Sequence, residues 1–269
     1  MVLTTLSPVT LATLRFIIAS ILYTIVIIRE LIRRNKPSLP DLKDLAFLGF
    51  LSISIYFWLQ YIGVQYAGAG ISAVLVVGLI PILTGFSSKI ILKEKVSAMK
   101  STGLLLGLTG VIFIALPKLI VGSIDLLFFL GVGCLLGNAV CFAVYSTMSR
   151  RLIQRIGKPL MVTAYTTVLG TLILLPLSLM GDWNAIFLLN QSQWLCVFYL
   201  AIACSSIGYL LWNYALSKLE AVKASVWLYL EPVAAFTGEA ILFGVLPSPM
   251  TLLGGLAIFL GVILINQEK

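Results

Sequence analysis

Nine runs of apolar residues joined by short connections leave this chain very few folds; they cover about 9–28, 45–62, 71–92, 102–116, 124–148, 160–180, 194–216, 224–243 and 251–265. Most approach the roughly 20 residues that an α-helix needs to cross a bilayer, whereas barrel strands show alternation over about 10 residues. The chain is 60% hydrophobic, while soluble domains sit near ~45–50%. The longest polar stretch, 29–44, is too short to bury a core. These features predict an all-α integral membrane protein of nine transmembrane helices.

Charge supplies the orientation. The formal net charge is +8, yet the basic residues fall in the connections, so they read as a topology signal and not as a nucleic-acid surface. Assigning alternate connections to opposite sides places sixteen of the eighteen Lys and Arg on one side, Lys118 on the other and Arg15 inside the first run. The basic side is therefore expected to face the cytoplasm, with the C-terminus inside and the N-terminus outside a cytoplasmic membrane. No positively charged region precedes the first apolar run, so no cleavable signal peptide is read.

Metal and cofactor chemistry find no support. The chain has no histidine, and Cys134, Cys141, Cys196 and Cys204 lie inside apolar runs without metal-ligand spacing. No cofactor or metal is expected, and intramembrane carboxylates remain the candidates for carrying protons. An enzyme would need a polar constellation with a nucleophile or a phosphate-binding motif, and none is visible.

Sliding the sequence against itself by 151 residues matches 69–114 to 220–265 at twelve positions, among them Ala73/Ala224, Pro81/Pro232, Ser97/Ser248, Gly103/Gly254 and Gly110/Gly261. Pro8 falls on Pro159 at the same offset. Coincident prolines and glycines at one gapless offset point to duplication, with halves at 1–118 and 119–269. Mapped back, the fifth run would precede residue 1, so the first half is expected to hold four helices against five. Opposite starting sides make the two an inverted repeat.

Several short motifs resemble EamA-type members of the drug/metabolite transporter superfamily. They are Ser7-Pro8-Val-Thr-Leu-Ala-Thr-Leu-Arg15-Phe16, Phe142-Ala-Val-Tyr145 before Arg150-Arg151, Trp212-Asn-Tyr-Ala-Leu216, Leu230-Glu231-Pro232-Val233 and Leu92-Lys-Glu94-Lys-Val96. The resemblance implies ten helices in two inverted five-helix repeats, a substrate cavity between them, and export of small metabolites or drugs. This chain departs from the pattern in lacking the first helix, in Lys93 standing at the family's glycine, and in Val245 after Gly244 where an acid would follow.

The candidate site residues follow from their cost in lipid. Glu231 stands beside the helix-breaking Pro232, where freed carbonyls and a carboxylate together bind a cation, an amine or a proton, or where a protonated Glu231 locks the kink. Trp227, expected one helical turn earlier on the same face, adds an aromatic surface. Ser205, Tyr209, Trp212 and Asn213 share one helical face, echoed by Asn138 with Tyr145 and by Tyr56 with Gln60; each stripe lines a cavity or bonds a neighbouring helix. Arg15 and Glu239 are assigned pairing or snorkelling roles, and Pro81 with Pro232 a structural one.

The expected function is a secondary transporter exporting a small organic solute by alternating access. Its partners are the bilayer and an amphipathic solute that is neutral, zwitterionic or cationic, and a homodimer is compatible with it. A non-transporting truncated protein or assembly subunit is the rival reading. A phosphorylated-sugar or nucleotide-sugar antiporter is disfavoured because Arg15 is the only base expected to be buried, while phosphates call for clustered bases.

Overall fold

Proline, serine and glycine punctuate a chain that is otherwise free to form long helices. The computed structural model describes residues 5–34, 36–116, 125–179, 181–244 and 247–267, apart from the side chains of Glu239, Leu242 and Phe243. Among the described residues there is no strand. The helices are α1 (Pro8–Ile32), α2 (Leu39–Ala67), α3 (Ala69–Ile91), α4 (Ala98–Ala115), α5 (Leu126–Ile156), α6 (Pro159–Ser178), α7 (Gln191–Lys218) and α9 (Pro249–Gln267), these eight being long and apolar enough to cross a membrane. Between α7 and α9, residues 221–243 form α8 in three pieces: Ala221–Ser225, a 3-10 turn Val226–Tyr229, and Leu230–Phe243.

Helix starts are capped as the sequence pattern demands. Ser7 Oγ accepts from Thr10 N ahead of Pro8, Ser97 Oγ accepts from Lys100 N, and Ser38 with Asp41 and Asn190 with Gln193 form reciprocal capping boxes. Gly68 (φ +85°) separates α2 from α3, and Gly157 (φ +76°) ends α5. Helices run past the ends of the apolar runs. α5 continues beyond Met148 through Arg155, because the hydrogen-bond ladder persists in water until a left-handed residue ends it.

Among the described residues, three stretches inside the long helices widen from α-geometry. Phe50–Ser54 in α2, Ala73–Val77 in α3 and Leu200–Gly208 in α7 are π-helical, wide turns that shift the ladder by one residue.

The chain divides into two compact units, Met1–Tyr61 with Met148–Lys218 and Ile62–Thr147 with Leu219–Lys269, so each draws on both halves of the sequence. In the first unit α1 and α6 run antiparallel. Ser20 Oγ donates to Thr171 Oγ1 (2.8 Å) and reaches Thr167 O (3.5 Å), while Thr171 Oγ1 reaches Phe16 O (3.4 Å). Residues 16 and 167, like 20 and 171, are 151 apart, so the contacts are reciprocal under the sequence offset. A Cβ on Gly49 would stand 2.6 Å from Gly170 N, which explains two glycines where α2 meets α6.

The second unit repeats this relation. α4 and α9 are antiparallel and nearly touch at the backbone: a Cβ on Gly103 would meet Gly261 O at 2.8 Å, and one on Gly254 would meet Gly110 O at 2.7 Å. Gly103/Gly254 and Gly110/Gly261 are again 151 apart. Leu104, Val111, Val226, Tyr229, Ile258 and Ile265 form the core beside this contact. Ion pairs add to each unit by itself: in the first Arg155 pairs with Asp41 and Asp44 and Lys158 with Glu30, and in the second the buried Lys100 pairs with Glu220.

Candidate functional site

In the first unit one hydroxyl and two aromatic rings, from α1, α2 and α7, converge on Arg15. Its Nε donates to Ser205 Oγ (2.6 Å), and its guanidinium carbon lies over the rings of Phe16 (5.1 Å) and Phe57 (5.0 Å). Tyr209 packs edge-on against Phe16 (5.9 Å), and Phe57 meets Tyr56 (5.0 Å) and Tyr61 (6.2 Å). The result is a base held inside an aromatic collar.

The wide turns explain why these groups meet. A π-turn turns some carbonyls away from the ladder, and here they accept from tyrosines: Tyr23 Oη donates to Ser206 O (2.6 Å) and Tyr209 Oη to Ser52 O (2.9 Å). Ser206 Oγ bonds Ala201 O five residues back, matching the wider period. Both π-stretches of this unit therefore border the Arg15 cluster.

The remaining expected residues of this unit have separate tasks. Asn213 is fully buried, accepting from Ser149 Oγ and donating to Thr163 Oγ1 (3.0 Å), so it fastens α7 to α5 and α6. Trp212 is half-buried. Gln60 is half-buried with Oε1 enclosed and unbonded among the described residues, an orphan acceptor. The single stripe expected for Ser205, Tyr209, Trp212 and Asn213 is re-aimed, because Ser205 lies within the π-stretch and the α-period holds only from Tyr209 onward.

In the second unit Glu231 is exposed and Trp227 is 49% exposed, with Pro232 half-buried between helical turns. Trp227 lies in the 3-10 turn, so its relation to Glu231 is not the α-helical one expected: 3-10 geometry takes about 3.0 residues per turn in place of 3.6. Asn138 and Tyr145 are fully buried on α5, Tyr145 packing on Phe142 (5.7 Å), and Pro81 is buried in α3. Glu239 lies on α8 with its side chain outside the described residues.

Tyr229, which the motifs do not single out, anchors the tight turn. It is fully buried, and its Oη donates to both Gly78 O and Leu104 O at 3.1 Å. Its ring occupies the space that a Cβ on Gly107 would need. The sequence holds a trace of this: Tyr229 and Gly78 are 151 residues apart. Phe57 and Tyr23 went unmarked, and Phe16 entered only as the last residue of a motif, because phenylalanine and tyrosine in an apolar run carry no pattern that separates collar from lipid face.

A multi-pass helical protein with an intramembrane base bonded to a π-stretch and an acid just after a 3-10 turn has the features of a membrane protein of the transporter class. The sequence pattern of the EamA-like transporter family matches residues 1–116 and 129–267, and the chain belongs to that family. Relatives include an uncharacterized transporter of Archaeoglobus fulgidus, 30% identical over 98% of this chain and 90% of its own. The uncharacterized transporter YyaM of Bacillus subtilis is 28% identical over 84% and 74%. A probable terminal-alkyne amino-acid exporter of Streptantibioticus cattleyicolor is 27% identical over 87% and 76%. A solved crystal structure shares the fold at a TM-score of 0.80 and 19% identity, covering 97% of this chain and 90% of that one.

Proposed function

We propose that this transporter exports a small amphipathic organic solute across the cytoplasmic membrane by alternating access between two inverted repeats, 1–118 and 119–269. The observation that carries the reading is the reciprocity of contacts at the 151-residue offset. Ser20 with Thr171, and Gly103 and Gly110 with Gly261 and Gly254, are pairings that a two-fold axis in the membrane plane would generate. A molecule built from two copies of opposite orientation has two related conformations available, open to either side.

The site residues are assigned on the same reading. Ser205, Tyr209, Tyr56 and Gln60 border the solute path in the first unit, Trp227 and Glu231 in the second, and Glu231 carries the coupling proton. Trp212, Asn138 and Tyr145 belong to the same path through their helices, and Asn213, Pro81 and Pro232 shape those helices. Residues 221–243 supply a ninth span, the basic connections face the cytoplasm, and the C-terminus lies inside. Support for export comes from the relative named as an amino-acid exporter.

The test is counterflow of a radiolabelled solute panel into proteoliposomes of the purified chain, with and without a pH gradient. Accumulation of at least one solute above empty vesicles is expected, accelerated by the gradient. Equal traces for protein-containing and empty vesicles across amino acids, amines and neutral aromatics overturn it. A reporter fused after Lys269 should be active only in a cytoplasm-dependent form.

A further inference from the structure

We propose that a cavity between α2 and α5 in the first unit seats the headgroup of a zwitterionic aminophospholipid, phosphatidylethanolamine. The cavity holds about 160 Å³ and is lined by Asp44 and Leu48 from α2 and by Met148, Arg151, Leu152 and Arg155 from α5. Residues four apart on α2, and at i, i+3, i+4 and i+7 on α5, share one face of each helix, so two faces of matched pattern enclose it.

The level of the cavity names the kind of occupant. Asp44 immediately precedes the apolar run that starts at 45, and Met148 closes the run that ends there, so on both helices the cavity straddles the step from apolar to charged sequence. That step is where lipid headgroups meet hydrocarbon. Leu48 and Leu152 are buried and form an apolar floor, while Arg151 and Arg155 are exposed. The volume falls well short of the roughly 300 Å³ at which sites for drug-sized molecules begin, and suits a compact polar group.

The charges name the headgroup. Arg155 Nη2 is shared between Asp41 Oδ1 (2.5 Å) and Asp44 Oδ2 (2.6 Å). Asp41 is then spent, because its Oδ2 accepts from Ser38 Oγ (2.5 Å) and Ser38 N (3.3 Å). Asp44 keeps Oδ1 and Arg151 keeps its whole guanidinium, neither bonded among the described residues. The two unspent groups have opposite sign and border one cavity. A purely anionic group would meet the Asp44 carboxylate, and a purely cationic one the Arg151 guanidinium. A phosphate with a primary ammonium two carbons away satisfies both, the phosphate on the arginine fork and the N–H donors on Asp44 Oδ1. A quaternary ammonium forgoes the second bond for want of an N–H. An arginine serving only to set topology needs neither the apolar floor nor the half-spent carboxylate beside it.

Dioleoyl phospholipids differing only in the head test this on the detergent-purified protein. Phosphatidylethanolamine should raise the melting temperature with a midpoint concentration roughly tenfold below those of phosphatidylglycerol and phosphatidylcholine, the worth of one charge-assisted hydrogen bond. Asp44→Asn should raise the phosphatidylethanolamine midpoint alone and close the gap; Arg151→Gln should raise all three midpoints together, by roughly tenfold. Equal midpoints on the wild type overturn the seat without any variant, as does stabilisation by none of the three. An unchanged gap in Asp44→Asn, or unchanged midpoints in Arg151→Gln, overturns it too. Free O-phosphoethanolamine separates a lipid from a soluble source: it should act only at concentrations far above those of the lipid, and equal potency overturns the lipid assignment. The gap is a ratio within one protein sample, so a general loss of stability in a variant does not imitate its closing.

Discussion

Residues 73–85 and 224–236 align without a gap and share a proline, yet the helix deforms in opposite senses around it. Before Pro81 the turn is wide, π-helical over Ala73–Val77; before Pro232 it is tight, 3-10 over Val226–Tyr229. The surroundings differ in the same direction. Val76 and Ile80 are 4% and 3% exposed and pack with Leu135 and Ala139, whereas their counterparts Trp227 and Glu231 are exposed. A proline withdraws one donor and crowds the preceding turn wherever it stands, and the neighbours decide how the strain is absorbed. In α3 the wide turn is packed away as scaffold; in α8 the tight turn leaves an acid and an indole accessible.

The largest effect should come from attacking the anchor of the tight turn. Gly107→Ala places a methyl group where the Tyr229 ring lies and is expected to cost about 3 kcal/mol by overpacking, read as a lower melting temperature. An unshifted melting temperature would mean that Tyr229 does not hold the turn. Next comes the pair Val76→Ala and Trp227→Ala. The first opens a cavity in a packed cluster and should cost about 2 kcal/mol of stability. The second should leave the melting temperature within about 0.5 kcal/mol while changing the apparent KM for transported solute. Equal destabilisation by both would dissolve the distinction between scaffold and site.

Glu231→Gln is expected to slow proton-driven counterflow by roughly tenfold or more, about 1.4 kcal/mol in barrier terms, and to flatten its pH dependence. Unchanged flux with an unchanged pH profile would return Glu231 to a structural role. The smallest effect tests the two repeats at their ends. Lys93 (φ +57°) and Gly244 (φ +67°) are 151 residues apart and both left-handed, so Lys93→Gly should stabilise by about 1 kcal/mol. A destabilising Lys93→Gly would show that the lysine side chain holds the connection by contacts of its own.

Much of this architecture is written in local patterns. Apolar run length announced the helices, whereas that Ser20 and Thr171, residues related by the 151-residue offset, would meet was decided by the packing of α1 on α6. The departures have physical causes. Helices outlast apolar runs because the ladder needs no lipid, as at α5. The π-stretches leave no mark in composition, since a one-residue shift in hydrogen bonding is decided by what accepts the turned-out carbonyls, here Tyr23 and Tyr209 from other helices. Arg15 was legible as an expensive residue, but whether it had a counter-charge depended on which side chains the fold brought near.

The wide turn of α7 acts as a phase setting for everything that follows it. One residue in an α-helix advances the azimuth by about 100°, so the shift at 200–208 fixes the compass direction of the next two turns. Removing a single residue there would leave a sounder helix on its own terms, with the turned-out carbonyls returned to the ladder. It would also swing Tyr209 off Ser52 and Asn213 off Ser149 and Thr163, trading a well-formed rod for one aimed at the wrong neighbours.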